Sequence, residues 1–321
     1  MIFSVAIPAY KPQFLKEAVE SVLAQSYRDW ELVIVDDCSP HNLEGIVSPY
    51  LADSRIKFCR NDKNFGAWDV VDNWNRCLEY CTGDYVICMG DDDRLLPCCL
   101  EDLALLIQAH PHLGVYHISA EIIDENGGLK EVLPARPERE SSLELICNRW
   151  QGREQYIGDF CFDLRLLRKN GGFFKLPLAW GSDDVSSYIA AKGVSEGYVD
   201  GVANTSRPGF QYRKSSMTIS ESGNLEDKLK IMLRVGDWFS EELSSRSTGP
   251  ENGNWSLEGA RAFCRRHFKD VSRDYVKKDT GRIPSRLNYW LNHKDECRLS
   301  AADICYQFAK GLAQRLLGKL S

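Results

Sequence analysis

The chain has 321 residues, of which 43% are hydrophobic and 27% charged, with a formal net charge of −6, the profile of a soluble globular protein with a full core. No stretch reaches the roughly 18 to 20 uninterrupted apolar residues of a membrane-spanning helix, which excludes that class. The twelve cysteines are scattered without a C-x-x-C pair and read as reduced, mostly buried thiols.

Phe3 to Pro8 reads as a strand rather than a signal peptide, because its apolar run is short and has no basic leader. Residues 14 to 25 place Leu15, Ala18, Val19, Val22 and Leu23 at helical spacing. Trp30 to Val35 is a nearly continuous apolar strand that ends at Asp36-Asp37-Cys38-Ser39-Pro40, as a buried parallel strand does. Ile56 to Cys59 is a third strand and Trp68 to Tyr80 a helix. Tyr85 to Met89 is a fourth strand that runs into Gly90-Asp91-Asp92-Asp93. This alternation predicts an α/β fold with a mostly parallel sheet, whose ligands sit beyond the carboxyl ends of the strands. Both acidic clusters fall there.

A helix at about 100 to 108 precedes a strand over Gly114 to Ile123, closed by the hairpin signal Asp124-Glu125-Asn126-Gly127-Gly128. The second half therefore turns antiparallel. Residues 134 to 142 read as a mobile surface loop, and residues 244 to 256, rich in Ser, Gly, Asn and Pro, as a boundary between domains 1–243 and 257–321. Residues 259 to 321 carry 14 Lys and Arg against 6 Asp and Glu, a net +8 that leaves −14 on the remainder. This extension ends in an amphipathic helix over Ala301 to Leu320, with Ile304, Phe308, Leu312, Leu316 and Leu320 in one stripe.

Three consecutive carboxylates raise one another's pKa unless a cation neutralises them. Ligation by carboxylates alone suits Mg²⁺ or Mn²⁺, ions that share their coordination with substrate phosphates, so a nucleotide diphosphate is the natural partner. Capping a helix that begins near Pro97 would use one Asp, not three. Asp36-Asp37 reads either as a turn or as a carboxylate that accepts from a base N–H. In Trp180-Gly181-Ser182-Asp183-Asp184 a carboxylate is a general base for an attacking hydroxyl or an N-cap, and the residues alone leave both open. Cys98-Cys99 lacks the flanking thiol or histidine pair of a soft-metal site.

Val5-Ala6-Ile7-Pro8-Ala9-Tyr10, Glu20-Ser21-Val22-Leu23-Ala24-Gln25-Ser26-Tyr27, Glu31-Leu32-Val33-Ile34-Val35-Asp36-Asp37-Cys38-Ser39 and Gly83-Asp84-Tyr85-Val86 resemble, in order and spacing, family-2 glycosyltransferases of the GT-A (Rossmann-like) fold. Asn64-Phe65-Gly66, Asn75, Gly171-Gly172-Phe173 and Tyr212-Arg213 before Ser215-Ser216 also fit, so the resemblance covers roughly residues 1 to 220. It implies one catalytic domain over 1–243, with a mixed, mostly parallel sheet and a C-terminal helical extension. It implies an inverting transferase that moves a sugar from a nucleotide-diphospho-sugar, UDP-sugar favoured, to a glycan or lipid-linked saccharide in bacterial surface polysaccharide synthesis. Pro8, Ala9, Tyr10, Asp36, Asn64, Gly66, Asn75 and Asp91 would line the nucleotide site. Asp92, with Asp91 and Asp93, would hold Mn²⁺ or Mg²⁺, and Asp183 or Asp184 would be the base.

Two departures stand out: Gly90 replaces the first carboxylate of the usual Asp-x-Asp-Asp, and Asp183-Asp184 replaces the common Glu-Asp. A nucleotidyltransferase would carry a Gly-rich, Arg-containing loop where this chain has Pro8-Ala9-Tyr10-Lys11-Pro12. A processive synthase would have Gln where Ile146 precedes Arg149-Trp150. A non-catalytic carbohydrate-binding protein is the alternative from another class. The expected location is cytoplasmic with no nucleic-acid partner, the basic extension serving packing, homodimerisation or contact with the inner face of a membrane.

Overall fold

The computed structural model describes residues 1–193, 197–215, 223–247, 254–281 and 284–318. The chain divides into two compact units, Met1–Ser222 and Gly223–Ser321.

The first unit begins β1 (Phe3–Ala9), α1 (Leu15–Leu23), β2 (Trp30–Asp36), α2 (Leu43–Val47), β3 (Ile56–Arg60), α3 (Val70–Tyr80) and β4 (Tyr85–Cys88). It continues β5 (Arg94–Leu95), α4 (Cys99–Ala109), β6 (Val115–Ile123), β7 (Leu129–Val132), β8 (Arg139–Glu140), α5 (Ser142–Trp150), β9 (Phe160–Asp163), α6 (Leu164–Lys169), α7 (Ser182–Ala191) and β10 (Val202–Arg213). One mixed sheet runs β3-β2-β1-β4-β9-β6-β10-β5, with β7 on β6 and β8 on β10. β1, β2, β3 and β4 pair in parallel, β9 lies antiparallel between β4 and β6, and β10 runs parallel to β6.

Strand order reverses at β1: the chain steps through β2 to β3 on one side and then crosses to β4 on the other. Sheets of this kind open a ligand crevice at such a switch point. Phe3, Val5 and Ile7 of β1 pack with residues of α1 and α4, whereas Ala6 packs with Val33, Val35 and residues of α3, α5, α6 and α7 on the opposite face. Both faces are covered, which is why β1 and β2 read as unbroken apolar runs.

Residues 134 to 142 depart from the surface-loop expectation. They contain β8, and the Arg136 side chain is only 4% exposed against a buried Glu140. Ser141 then starts α5 with a capping box, its side chain accepting from Glu144 N while Glu144 Oε2 accepts from Ser141 N.

The second unit comprises α8 (Leu225–Ser245), α9 (Leu257–Lys278), α10 (Ser285–Asn292) and α11 (Ala301–Leu316). Leu229 and Leu233 of α8 share one core with Val276, Trp290, Ile304 and Phe308. α8 therefore belongs with the helices that follow it, and the units divide at 222/223 rather than within 244 to 256. The polar composition of that stretch marks an interhelix connection, of which residues 248–253 lie outside the described residues. Ile304 and Phe308 are buried, Leu316 is 87% exposed, and Leu320 lies outside the described residues. Among the described residues no helix is long and apolar enough to cross a membrane.

At Gly311 a Cβ would lie 1.9 Å from the Lys277 carbonyl oxygen, so α11 meets α9 backbone to backbone. Gly311→Ala is expected to destabilise this unit by about 1 to 3 kcal/mol, because overpacking forces the two helices apart. Urea unfolding followed by far-UV circular dichroism measures it.

Candidate active site

The acidic triad occupies the turn between β4 and β5. It caps no helix, since α4 has Cys98 at its N-cap position and no side-chain cap. Asp91 Oδ2 instead accepts from the main-chain N–H groups of Tyr10 at 2.7 Å and Lys11 at 2.6 Å, tying this turn to the loop after β1. Ser39 Oγ donates to Tyr10 O at 2.7 Å and Asp37 N donates to Ala9 O at 2.8 Å, which brings in the end of β2. Pro8, Ala9, Tyr10, Asp36 and the triad thus share the carboxyl-end rim at the switch point. A Cβ at Gly90 would stand 2.8 Å from Asp93 Oδ2 and 2.9 Å from Asp92 Oδ1, so a side chain at this position would have to displace the two carboxylates that follow it.

Lys11 sets one cation against the triad. Its ammonium lies 3.4 Å from Asp91 Oδ1 and pairs closely with Asp92 Oδ2. Burial opposes the lysine charge, but Asp91 and Asp92 outweigh it and hold its pKa up. Burial raises Asp91, with Lys11 pulling it back down, and burial together with Asp92 pushes Asp93 well up.

Asp93 Oδ1 accepts from Arg213 N at 2.9 Å at the end of β10. The fully buried Arg213 guanidinium donates to Asp92 O at 2.7 Å, to Asp124 O and Glu125 O, and to Glu17 Oε2 at 2.7 Å. Arg213→Ala orphans three carbonyls together and is expected to cost about 3 to 5 kcal/mol. A urea midpoint unchanged by that substitution would contradict this pinning role.

The β2 end is equally engaged. Asp36 Oδ1 accepts from Ser39 N at 2.7 Å and Oδ2 pairs with Arg60. Asp37 accepts from Asn61 Nδ2 and from the Phe65 and Gly66 N–H groups, while Asn64 Nδ2 donates to Asp37 O at 2.8 Å. Asn64 and Gly66 are therefore drawn to this rim. Asn75 is occupied elsewhere: its amide clamps the Phe173 main chain, donating at 3.1 Å and accepting at 2.7 Å.

Asp183 and Asp184 sit in the first turn of α7, whose N-cap position is Gly181 at φ 87° with no side-chain cap. Neither carboxylate is the cap. They differ sharply in surroundings. Asp184 Oδ1 accepts from Arg149 Nε at 2.8 Å and Gln155 Nε2 at 3.0 Å, a fixed ion pair. Asp183 has no ion-pair partner among the described residues. Asp183 is half-buried, unlike the buried Asp184, and desolvation, with the neighbouring Asp184 charge adding and Arg149 opposing, pushes its carboxyl up to about 7.

Lys11, Arg60, Arg149 and Arg213 are partners that sequence reasoning gave no role. Asp159 is another: it is fully buried, burial pushes it up to about 8, and its Oδ2 lies 3.7 Å from His117 Nε2. Arg149 left a trace in its Arg-Trp pair, and Arg213 in the Tyr212-Arg213 that fits the family pattern. Among the described residues no three His, Cys, Asp or Glu side chains converge as a ready-made metal cage.

Residues 4–170 match the family described as glycosyl transferase family 2. The chain is 35% identical over 128 residues to the putative glycosyltransferase EpsE of Bacillus subtilis (strain 168), covering 39% of this chain and 45% of EpsE. It is 37% identical over 99 residues to the putative colanic acid biosynthesis glycosyl transferase WcaA of Escherichia coli (strain K12), covering 30% of this chain and 34% of WcaA. The chain thus spans less than half the length of these relatives. Among solved structures it is similar to S. aureus TarS 1-349 in complex with UDP-GlcNAc, with a TM-score of 0.64 at 17% identity over 99% of this chain and 93% of that one, a likeness of fold alone. With a match that extends over more than half of its residues, and a GT-A-type mixed sheet beneath the acidic rim, the chain belongs to glycosyl transferase family 2.

Proposed function

We propose that the chain is an inverting glycosyltransferase that moves a sugar from a nucleotide-diphospho-sugar, UDP-sugar favoured, to a hydroxyl of a glycan or lipid-linked saccharide. The observation that carries this reading is Asp183 in the first turn of α7, with no ion-pair partner among the described residues, beside an Asp184 that Arg149 and Gln155 immobilise, an arrangement that raises the Asp183 carboxyl towards neutral pH. General bases work best when their pKa lies near the operating pH. The names of EpsE and WcaA support a role in bacterial surface polysaccharide synthesis, and the UDP-GlcNAc complex of TarS supports a UDP-sugar.

In this mechanism Asp183 takes the proton of the acceptor hydroxyl. The oxygen attacks the anomeric carbon from the face opposite the diphosphate, and the nucleoside diphosphate leaves with the electrons of the broken C–O bond. Pro8, Ala9, Tyr10, Asp36, Asn64 and Gly66 form the nucleotide wall, with Asn75 acting through the Phe173 turn. The donor set fits Mg²⁺ or Mn²⁺ centred on Asp92, because Asp91 is committed to two N–H groups and Asp93 to Arg213. Such ions are held by one or two carboxylates plus substrate phosphates. When bound, the ion offsets charge developing on the leaving diphosphate.

Calorimetric titration with UDP-, GDP- and dTDP-sugars, with and without Mn²⁺, tests the reading. One nucleotide series should bind, and only with the metal; no binding by any donor at about 1 mM, the upper range of ordinary KM values, would refute it.

The exposed Leu316 and Leu317, near the end of a segment (259–321) whose composition is a net +8, support a peripheral contact with an anionic membrane. Vesicles with anionic lipid should sediment the wild-type chain and release it when both leucines become Glu. Equal, negligible sedimentation of the two proteins removes that contact.

A further inference from the structure

An ammonium already stands where a divalent ion would have to bind. Lys11 Nζ bridges Asp91 Oδ1 at 3.4 Å and Asp92 Oδ2, and its side chain is 20% exposed. A second cation cannot join it at that spacing without strong repulsion. We propose that Lys11 is a resident counter-ion that closes the Asp91–Asp92 pair to metal until a nucleoside diphosphate arrives, and that its ammonium then turns to the diphosphate. This inference rests on the nucleotide-sugar reading above.

The local anchoring permits such a movement. The Lys11 main-chain N–H is fixed on Asp91 at 2.6 Å, and Ser39 holds the carbonyl of Tyr10 at 2.7 Å, so the backbone stays while the flexible four-carbon stem swings. The charge balance supplies the direction. Metal alone would exchange one cation for another and strand an ammonium beside it. Metal with diphosphate provides anionic oxygens for both cations, so each ligand should strengthen the other's binding by the same factor. Lys11 contributes a donor-facing charge that the acidic motif by itself does not reveal.

The test is Mn²⁺ affinity, read from the electron paramagnetic resonance of free Mn²⁺, for wild type, Lys11→Met and Lys11→Arg, with and without UDP. Wild type should bind Mn²⁺ weakly alone and at least about tenfold more tightly with UDP, in line with the coupling of close charge pairs. Lys11→Met should bind Mn²⁺ at least about tenfold more tightly than wild type without nucleotide, whereas Lys11→Arg, which keeps a cation there, should resemble wild type. Circular dichroism melts confirm that each variant is folded. Equal Mn²⁺ affinity in folded Lys11→Met and wild type overturns the counter-ion role. If wild type binds none of UDP, GDP or dTDP even with Mn²⁺, the nucleotide-sugar reading fails, and the donor half of this inference fails with it.

Discussion

Asp183→Asn should lower kcat by about 10²- to 10⁴-fold, the range that a positioned base contributes. Asn is nearly isosteric but cannot take the hydroxyl proton. Asp184→Asn should cost at least about tenfold less, because Asn still accepts from Arg149 Nε and Gln155 Nε2 and the carboxylate it replaces is locked in that pair. Wild-type kcat/KM should fall as pH drops through about 7, where the Asp183 carboxyl gains its proton. The linkage to stability has the opposite sense. With the folded pKa near 7 and the unfolded value at about 3.9, the native state holds the proton more tightly between those limits. The contribution of this group to stability therefore declines as pH rises through that window, and the cost is complete above about 7. Asp183→Asn removes it, so the melting temperature of the variant relative to wild type should improve from about pH 5 to pH 8. Loss of turnover with retained or improved stability separates chemistry from misfolding.

Asp92→Ala should reduce kcat/KM by at least about 10²-fold, since it removes the one carboxylate of the triad that, among the described residues, is not committed to a main-chain N–H. Lys11 still finds Asp91 in that variant, at 3.4 Å. Asp93 loses a like-charged neighbour that adds to the effect of burial in raising its pKa. The metal-free fold should accordingly melt at or above the wild-type temperature, while Mn²⁺ no longer stimulates the residual activity. A variant that unfolds instead would make Asp92 structural.

β1, β2 and β4 were legible because strands buried on both faces are continuous apolar runs, and their acidic ends sat where a parallel sheet places ligands. The hairpin at Asp124 to Gly128 was legible through its turn chemistry, and it joins β6 to β7. α5 was missed although Ser141 and Glu144 spell a capping box, because the charged, Pro-containing stretch before them reads as a loop. β10 was hidden by Pro208, where its register with β6 shifts and the alternation breaks. The site divides in the same way. Clustered carboxylates announce themselves, whereas their partners are distant in sequence: Lys11 reaches Asp92 across 81 positions and Arg149 reaches Asp184 across 35. Whether Asp183 or Asp184 has a bound partner is a property of packing, which no local motif encodes.

The most direct test of nucleotide-sugar-dependent transfer through Asp183 is chromatographic measurement of nucleoside diphosphate release from UDP-, GDP- and dTDP-sugars, for wild type and Asp183→Asn. Wild type should release the nucleoside diphosphate from one donor series, with Mn²⁺ and not with a chelator, and Asp183→Asn should release it at least about 10²-fold more slowly. Undiminished release by Asp183→Asn, or no release from any donor by the folded wild-type protein, would contradict the account.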